Sequence, residues 1–142
     1  MTIARLIEAR PNPTISCTAA TPVSEAVALL AEKRIGALPV FDGERVVGIF
    51  SERDVIYRLH SHGPAMLDLT VGEVMTAPVQ DVEPDTSVLE ALALMTRRRV
   101  RHLPVTKAGA FVGFISIGDL VKYRIDHIQS EAEAMRAYIQ TA

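Results

Sequence analysis

Leu103-Pro104-Val105 and Val112-Gly113-Phe114-Ile115-Ser116-Ile117-Gly118-Asp119 repeat, 65 residues on, the words Leu38-Pro39-Val40 and Val47-Gly48-Ile49-Phe50-Ser51-Glu52-Arg53-Asp54. The same shift pairs Thr21 with Thr86, Val23 with Val88, Glu25 with Glu90, Ala26 with Ala91, Leu29 with Leu94 and Arg34 with Arg99. One unit has been used twice. Two copies are too few for a solenoid, which needs about three or more. They predict a pair packed face to face, with ligand clefts between the copies.

Working outward from these words, each copy reads as β-α-β-β-α, an α/β (α+β) unit. In the first, Ile15-Ser16-Cys17 is a short strand, and Thr21-Pro22 opens a helix with Thr21 as N-cap and Pro22 at its first position. Val23, Ala26, Val27, Leu30 and Ala31 give that helix an apolar face at helical spacing. Ala37 to Phe41 and Val46 to Phe50 are strands joined at Asp42-Gly43, and Ser51 caps a helix reaching His60. In the second copy the strand is Gln80 to Val82, and the helix from Ser87 turns Val88, Ala91, Leu92 and Met95 inward. A hairpin turns at Lys107 to Ala110. The last helix begins after Ser116 and runs long, with Ile128, Met135 and Ile139 available to a partner. Ile3, Leu6 and Ile7 form a lead-in stopped by Pro11 and Pro13, and Val71-Gly72-Glu73-Val74-Met75 plays the same part before the second copy. The chain thus divides into 1–67, the first unit with its lead-in, and 68–142, the second with its extended helix.

With 142 residues, 49% of them hydrophobic, the chain can bury a real core as one compact module. A net charge of -2 offers no global attraction to nucleic acid or acidic membranes, so any anion site is local. The single Cys17 excludes an intramolecular disulfide and reads as a core filler rather than a reactive thiol. No apolar leader and no run of about 20 apolar residues is present, so a cytoplasmic protein without a membrane segment is expected. His60-Ser61-His62-Gly63-Pro64 reads as a turn-rich linker; two histidines without a third ligand do not make a metal site.

The repeated helix, Leu-Pro-Val and Val-Gly-aliphatic-aliphatic-Ser-x-x-Asp words, with the linking Val71-Gly72-Glu73-Val74-Met75-Thr76, resemble the CBS domain family over essentially the whole chain. The likeness is to a stand-alone tandem pair, or Bateman module, its two CBS units related by a pseudo-two-fold axis. It implies a regulatory module that binds adenine-containing ligands such as AMP, ADP, ATP, NAD(H) or S-adenosylmethionine. It also implies a disc-like homodimer, no catalysis and no catalytic cofactor, and a regulated protein outside this chain. Carried over by residue, it implies that Asp54 and Asp119 hold the ribose, and that Ser51, Arg53, Ser116, Arg101 and His102 approach the phosphate. Ile15, Ser16, Cys17, Ala37 and Val82 are the expected adenine wall, where Asp81 departs from the small hydroxyl residue often found in the family.

The chemistry suits these roles. A carboxylate accepts from both hydroxyls of a cis-diol, and a helix N-terminus beside it favours phosphate. Ser-x-x-Asp at a strand-to-helix junction is also a capping box. Its recurrence after the same Val-Gly strand in both copies weighs toward ligand.

Arg97-Arg98-Arg99-Val100-Arg101-His102 is the densest positive run. Arg97 and Arg98 read as a solvated helix end, whereas Arg101 and His102 enter the strand before Leu103. Their counterparts are Gly36 and Ala37, so the clefts are expected to be unequal, with the second copy's Asp119 beside the basic pair. Arg53 offers part compensation in the first copy. No Walker loop, metal cluster or nucleophile-base pair supports an enzyme. A nucleic-acid surface along Arg97–His102 is an alternative that lacks a broad basic face and stacking aromatics. A structural dimer without ligand is another. Val55, Ile56 and Leu59, with Leu120, Val121 and Ile125, form stripes that a second copy would cover.

Overall fold

In the computed structural model, which describes residues 2–9 and 13–141, the repeated words become two hairpins. Along the chain come α1 (Ile3–Glu8), β1 (Cys17–Thr18), α2 (Val23–Lys33), β2 (Ala37–Asp42), β3 (Arg45–Ser51) and α3 (Glu52–His62). A 3-10 helix (Gly63–Asp68) leads to α4 (Val71–Val74), α5 (Val88–Arg98), β4 (His102–Lys107), β5 (Ala110–Ser116) and α6 (Ile117–Thr141). β2 pairs antiparallel with β3 and β4 with β5, each ladder slipping at the same place, after Val40 in one and after Val105 in the other. The second hairpin turns on Ala108 and Gly109, both at positive φ (52° and 82°), a backbone twist that suits two-residue hairpin loops. The hairpins meet through Phe41 and Phe111, whose rings stand edge to face at 4.9 Å. The result is two tandem CBS-like units in a pseudo-two-fold pair.

Several local expectations are corrected. β1 is confined to Cys17–Thr18, parallel to β2, so Ile15 and Ser16 precede it. The strand expected at Gln80–Val82 is a single parallel bridge, Val82 to Val105, secured by Val82 N to Pro104 O at 3.0 Å and Thr106 N to Val82 O at 2.9 Å. Beside it, Thr106 Oγ1 donates to Asp81 Oδ2 at 2.6 Å. Pro22, not Thr21, is the N-cap of α2, because the Thr21 hydroxyl already accepts from Thr18 N in the preceding turn. Ala31 is exposed. His60, Ser61 and His62 belong to α3 rather than to a linker, and the chain turns only at Gly63, with φ of 65°. Of the two prolines assigned to stopping the lead-in, Pro11 lies outside the described residues.

The lead-ins are exchanged between the copies. Ile3 and Leu6 of α1 are buried in the second copy's core with Val88, Met95, Leu103 and Ile115, and Ile3 N donates to Thr86 O at 2.9 Å. Val71 and Val74 of α4 are buried in the first copy's core with Val23, Leu38, Val40 and Phe50, and Val71 N donates to Thr21 O at 2.8 Å. This crossing explains the repeated Val-Gly. A Cβ on Gly113 would lie 3.1 Å from the Ile7 side chain, and one on Gly48 would lie 3.1 Å from Thr76 O and strike Met75. Each glycine is a seat for the lead-in packed across it. No helix among the described residues is long and apolar enough to cross a membrane.

Candidate functional site

Both Ser-x-x-Asp words sit where a strand passes into a helix, and both form the capping box. Ser51 N donates to Asp54 Oδ2 at 2.9 Å while Asp54 N donates to Ser51 Oγ at 3.4 Å. Ser116 N donates to Asp119 Oδ2 at 2.8 Å while Asp119 N donates to Ser116 Oγ at 3.1 Å. Capping fixes each half-buried carboxylate at the start of α3 or α6. It does not exhaust a carboxylate, which has about four acceptor positions on its two oxygens.

Each carboxylate lines a cleft whose opposite wall comes from the other copy. The Asp119 cleft, about 450 Å³, brings Ser116 and Phe114 against Ile15, Arg34, Gly36 and Ala37 of the first copy. The Asp54 cleft, about 300 Å³, brings Ser51 and Arg53 against Val100, Arg101 and His102 of the second. The expected pairing of Arg101 with Asp119 is therefore corrected: Arg101 stands in the Asp54 cleft. The physical reason is that the copies face one another, so the loop entering β4 reaches across to the first copy's helix.

His102 belongs to both clefts. Its ring stacks on Phe114 with centroids 5.5 Å apart and planes 16° from parallel. Burial holds its pKa below the ordinary 6.5, helped by the adjacent Arg101 charge, while Asp119 and Glu52 pull it upward. Arg53 extends over the boundary between copies and donates from Nη1 to Arg99 O at 3.0 Å. That carbonyl belongs to a left-handed cap ending α5, where Arg99 has φ of 54°; Arg34 ends α2 the same way at 53°.

Ser16 and Val82 line neither cleft. Cys17 is buried, its thiol directed at Pro39 O, and burial pushes its pKa up to about 11, with Glu25 adding to the rise. Such a thiol is a packing group. Arg97 and Arg98 lie in the last turn of α5, away from both clefts. Among the described residues no group of three His, Cys, Asp or Glu side chains is placed to hold a metal ion. Arg34, Phe114, Glu52 and Thr76 were not singled out from the sequence, yet all four line the clefts. The repeat pairs Arg34 with Arg99 and places Phe114 and Glu52 inside the decisive words, which was the signal available for three of them.

Comparison with known proteins agrees with this fold. The CBS domain profile matches twice, over residues 7–61 and 71–126. The CBS domain-containing protein CBSX3, mitochondrial, of Arabidopsis thaliana is 35% identical over 129 residues, covering 87% of this chain. This chain spans 63% of the length of that relative. Among solved structures, a protein with CBS domains from Burkholderia ambifaria MC40-6 is 43% identical with a TM-score of 0.83, covering 89% of this chain and 95% of that one. The CBS domain pair of protein MJ0100, solved in complex with 5'-methylthioadenosine and S-adenosyl-L-methionine, shares the fold at a TM-score of 0.77 and 21% identity, over 89% of this chain and 98% of that one.

Proposed function

The chain belongs to the CBS domain family, and from that premise we propose that it is a nucleotide-sensing regulatory module that binds adenosyl ligands in the two clefts between its copies. The observation behind this is the placement of a capped carboxylate, Asp54 or Asp119, beside a helix N-terminus in each cleft. That pairs a diol acceptor with an anion-favouring end. The ligand class is AMP, ADP, ATP or NAD(H); MJ0100, which shares the fold, was solved with adenosyl ligands. Arg53 and Arg101, both lining the Asp54 cleft, support a more phosphate-rich ligand there. The module turns nothing over and passes its ligand state to a regulated protein.

It does so as a homodimer. Ile56, Leu59, Val121, Ile125 and Ile128 are 44 to 65% exposed along α3 and α6 and offer the surface for a second copy. Leu120 is excluded from that surface because it is fully buried in the second core.

A thermal-shift panel of AMP, ADP, ATP, NAD, NADH and S-adenosylmethionine tests the proposal. A ligand at about 100 times its Kd stabilises the folded chain by about 2.7 kcal/mol, and the matching one should raise the melting temperature. No shift with any of the six overturns it.

A further inference from the structure

Asp54 carries a contact from outside its capping box. Thr76, in the extended segment after α4, is clamped to β3 by Ile49 N to Thr76 O at 3.0 Å and Thr76 N to Ile49 O at 2.9 Å. The clamp sets its side chain beside α3, and Thr76 Oγ1 donates to Asp54 Oδ1 at 2.8 Å. Asp54 Oδ2 meanwhile accepts from Ser51 N at 2.9 Å and Ser51 Oγ at 3.1 Å. A hydroxyl delivered to Oδ1 from the cleft wall does chemically what a ribose hydroxyl would do there. Ile3 N to Thr86 O and Val71 N to Thr21 O are the same bond in the two copies, which aligns Ile3 with Val71 and Glu8 with Thr76, so the corresponding lead-in residue has no hydroxyl to donate.

We infer that Thr76 is a specificity-determining residue of the Asp54 cleft: its hydroxyl holds the carboxylate oxygen that a ribose would use, so the cleft disfavours ligands held by the nucleoside alone and admits those held by phosphate as well. The inference rests on the proposed function. A ribose that displaces Thr76 exchanges one hydroxyl donor for another on the same carboxylate oxygen, so the gain is small. A phosphate between Arg53 and Arg101 adds charge-assisted bonds that Thr76 does not contest. Arg53 retains further N–H groups beyond the one donated to Arg99 O.

Calorimetric titration of adenosine and AMP into wild type, Thr76→Val, Thr76→Ala and Thr76→Ser tests it. Valine keeps the shape and removes the hydroxyl, alanine removes both, and serine keeps the donor. Both Thr76→Val and Thr76→Ala should bind adenosine about fivefold tighter at one site, with a smaller gain for AMP, while Thr76→Ser should match wild type. Unchanged or weakened adenosine binding in the two hydroxyl-free variants, with AMP still bound, overturns the role of Thr76 alone. If neither adenosine nor AMP binds to wild type or variants, this inference falls, and the adenosyl-binding function falls with it only if the six-ligand panel also gives no shift.

Discussion

His102 Cε1 lies 3.4 Å from the position that a Cβ on Gly36 would take, so the imidazole packs beside Gly36 in the strip where the two clefts meet. Glu52 Oε1 lies 3.2 Å from the same position. One neutral ring, walled by Phe114 and flanked by Arg34, Glu52, Arg53, Arg101 and Asp119, thus separates two sites designed around carboxylates.

The depressed pKa of His102 makes stability pH-dependent in a definite direction. The folded chain binds this proton less readily than the unfolded chain, so the contribution is complete above about pH 6.5 and is lost as pH falls below it. His102→Gln should remove that sensitivity. Urea melts at pH 5, 6, 7 and 8 should show wild type losing stability toward pH 5 more steeply than the variant; parallel curves would count against a buried neutral imidazole.

Cys17 should be inert while the chain is folded. With its pKa pushed up to about 11, the thiol stays protonated through the range in which an unfolded cysteine ionises, so stability should decline as pH rises above about 9. A disulfide-exchange reagent at pH 8 should label Cys17 slowly in buffer and rapidly in denaturant. Equal rates would contradict its burial.

Gly48→Ala should destabilise by about 1 to 3 kcal/mol, because the new methyl meets Met75 and the backbone carbonyl of Thr76. Gly113→Ala should cost less, since the three nearest atoms all belong to the flexible Ile7 side chain and none is closer than 3.1 Å. Denaturant midpoints compare the two. A reversed order would mean that the lead-ins are not seated as described.

Arg101→Ala should weaken AMP about tenfold while changing adenosine less than about twofold, because charge-assisted hydrogen bonds to phosphate are worth about 1.5 to 3 kcal/mol. Titration of both ligands checks this. Equal losses would remove Arg101 from phosphate recognition.

The repeat made much of this legible. Val23, Leu38 and Phe50 in one copy and Val88, Leu103 and Ile115 in the other fall in the core as their periodicity and position predict. The exchange of lead-ins was not legible, because the spacing of Ile3 and Leu6 shows that they are buried but not in which copy. Arg101 was misassigned for the same reason: its neighbours in sequence are in the second copy, whereas a face-to-face pair lines each cleft from both. The second copy's first strand shrinks to the Val82–Val105 bridge, the counterpart of Cys17–Val40, and no local propensity announces where that pairing stops.

The ribose role of Asp54 and Asp119 is the centre of the account, and titrating AMP into Asp54→Asn and Asp119→Asn beside their ligand-free melts tests it most directly. Both residues complete capping boxes, so either change should cost a few tenths to about 1 kcal/mol of stability. Asparagine keeps the shape and loses the charge that accepts from two hydroxyls. Asp119→Asn should therefore also lose affinity at its own cleft by about tenfold or more, equivalent to about 1.4 kcal/mol, and Asp54→Asn by less, because Thr76 already occupies one of its oxygens, with the other cleft unaffected in each case. Lowered melting with unaltered affinity at both clefts would contradict the account and leave the two carboxylates as helix caps alone.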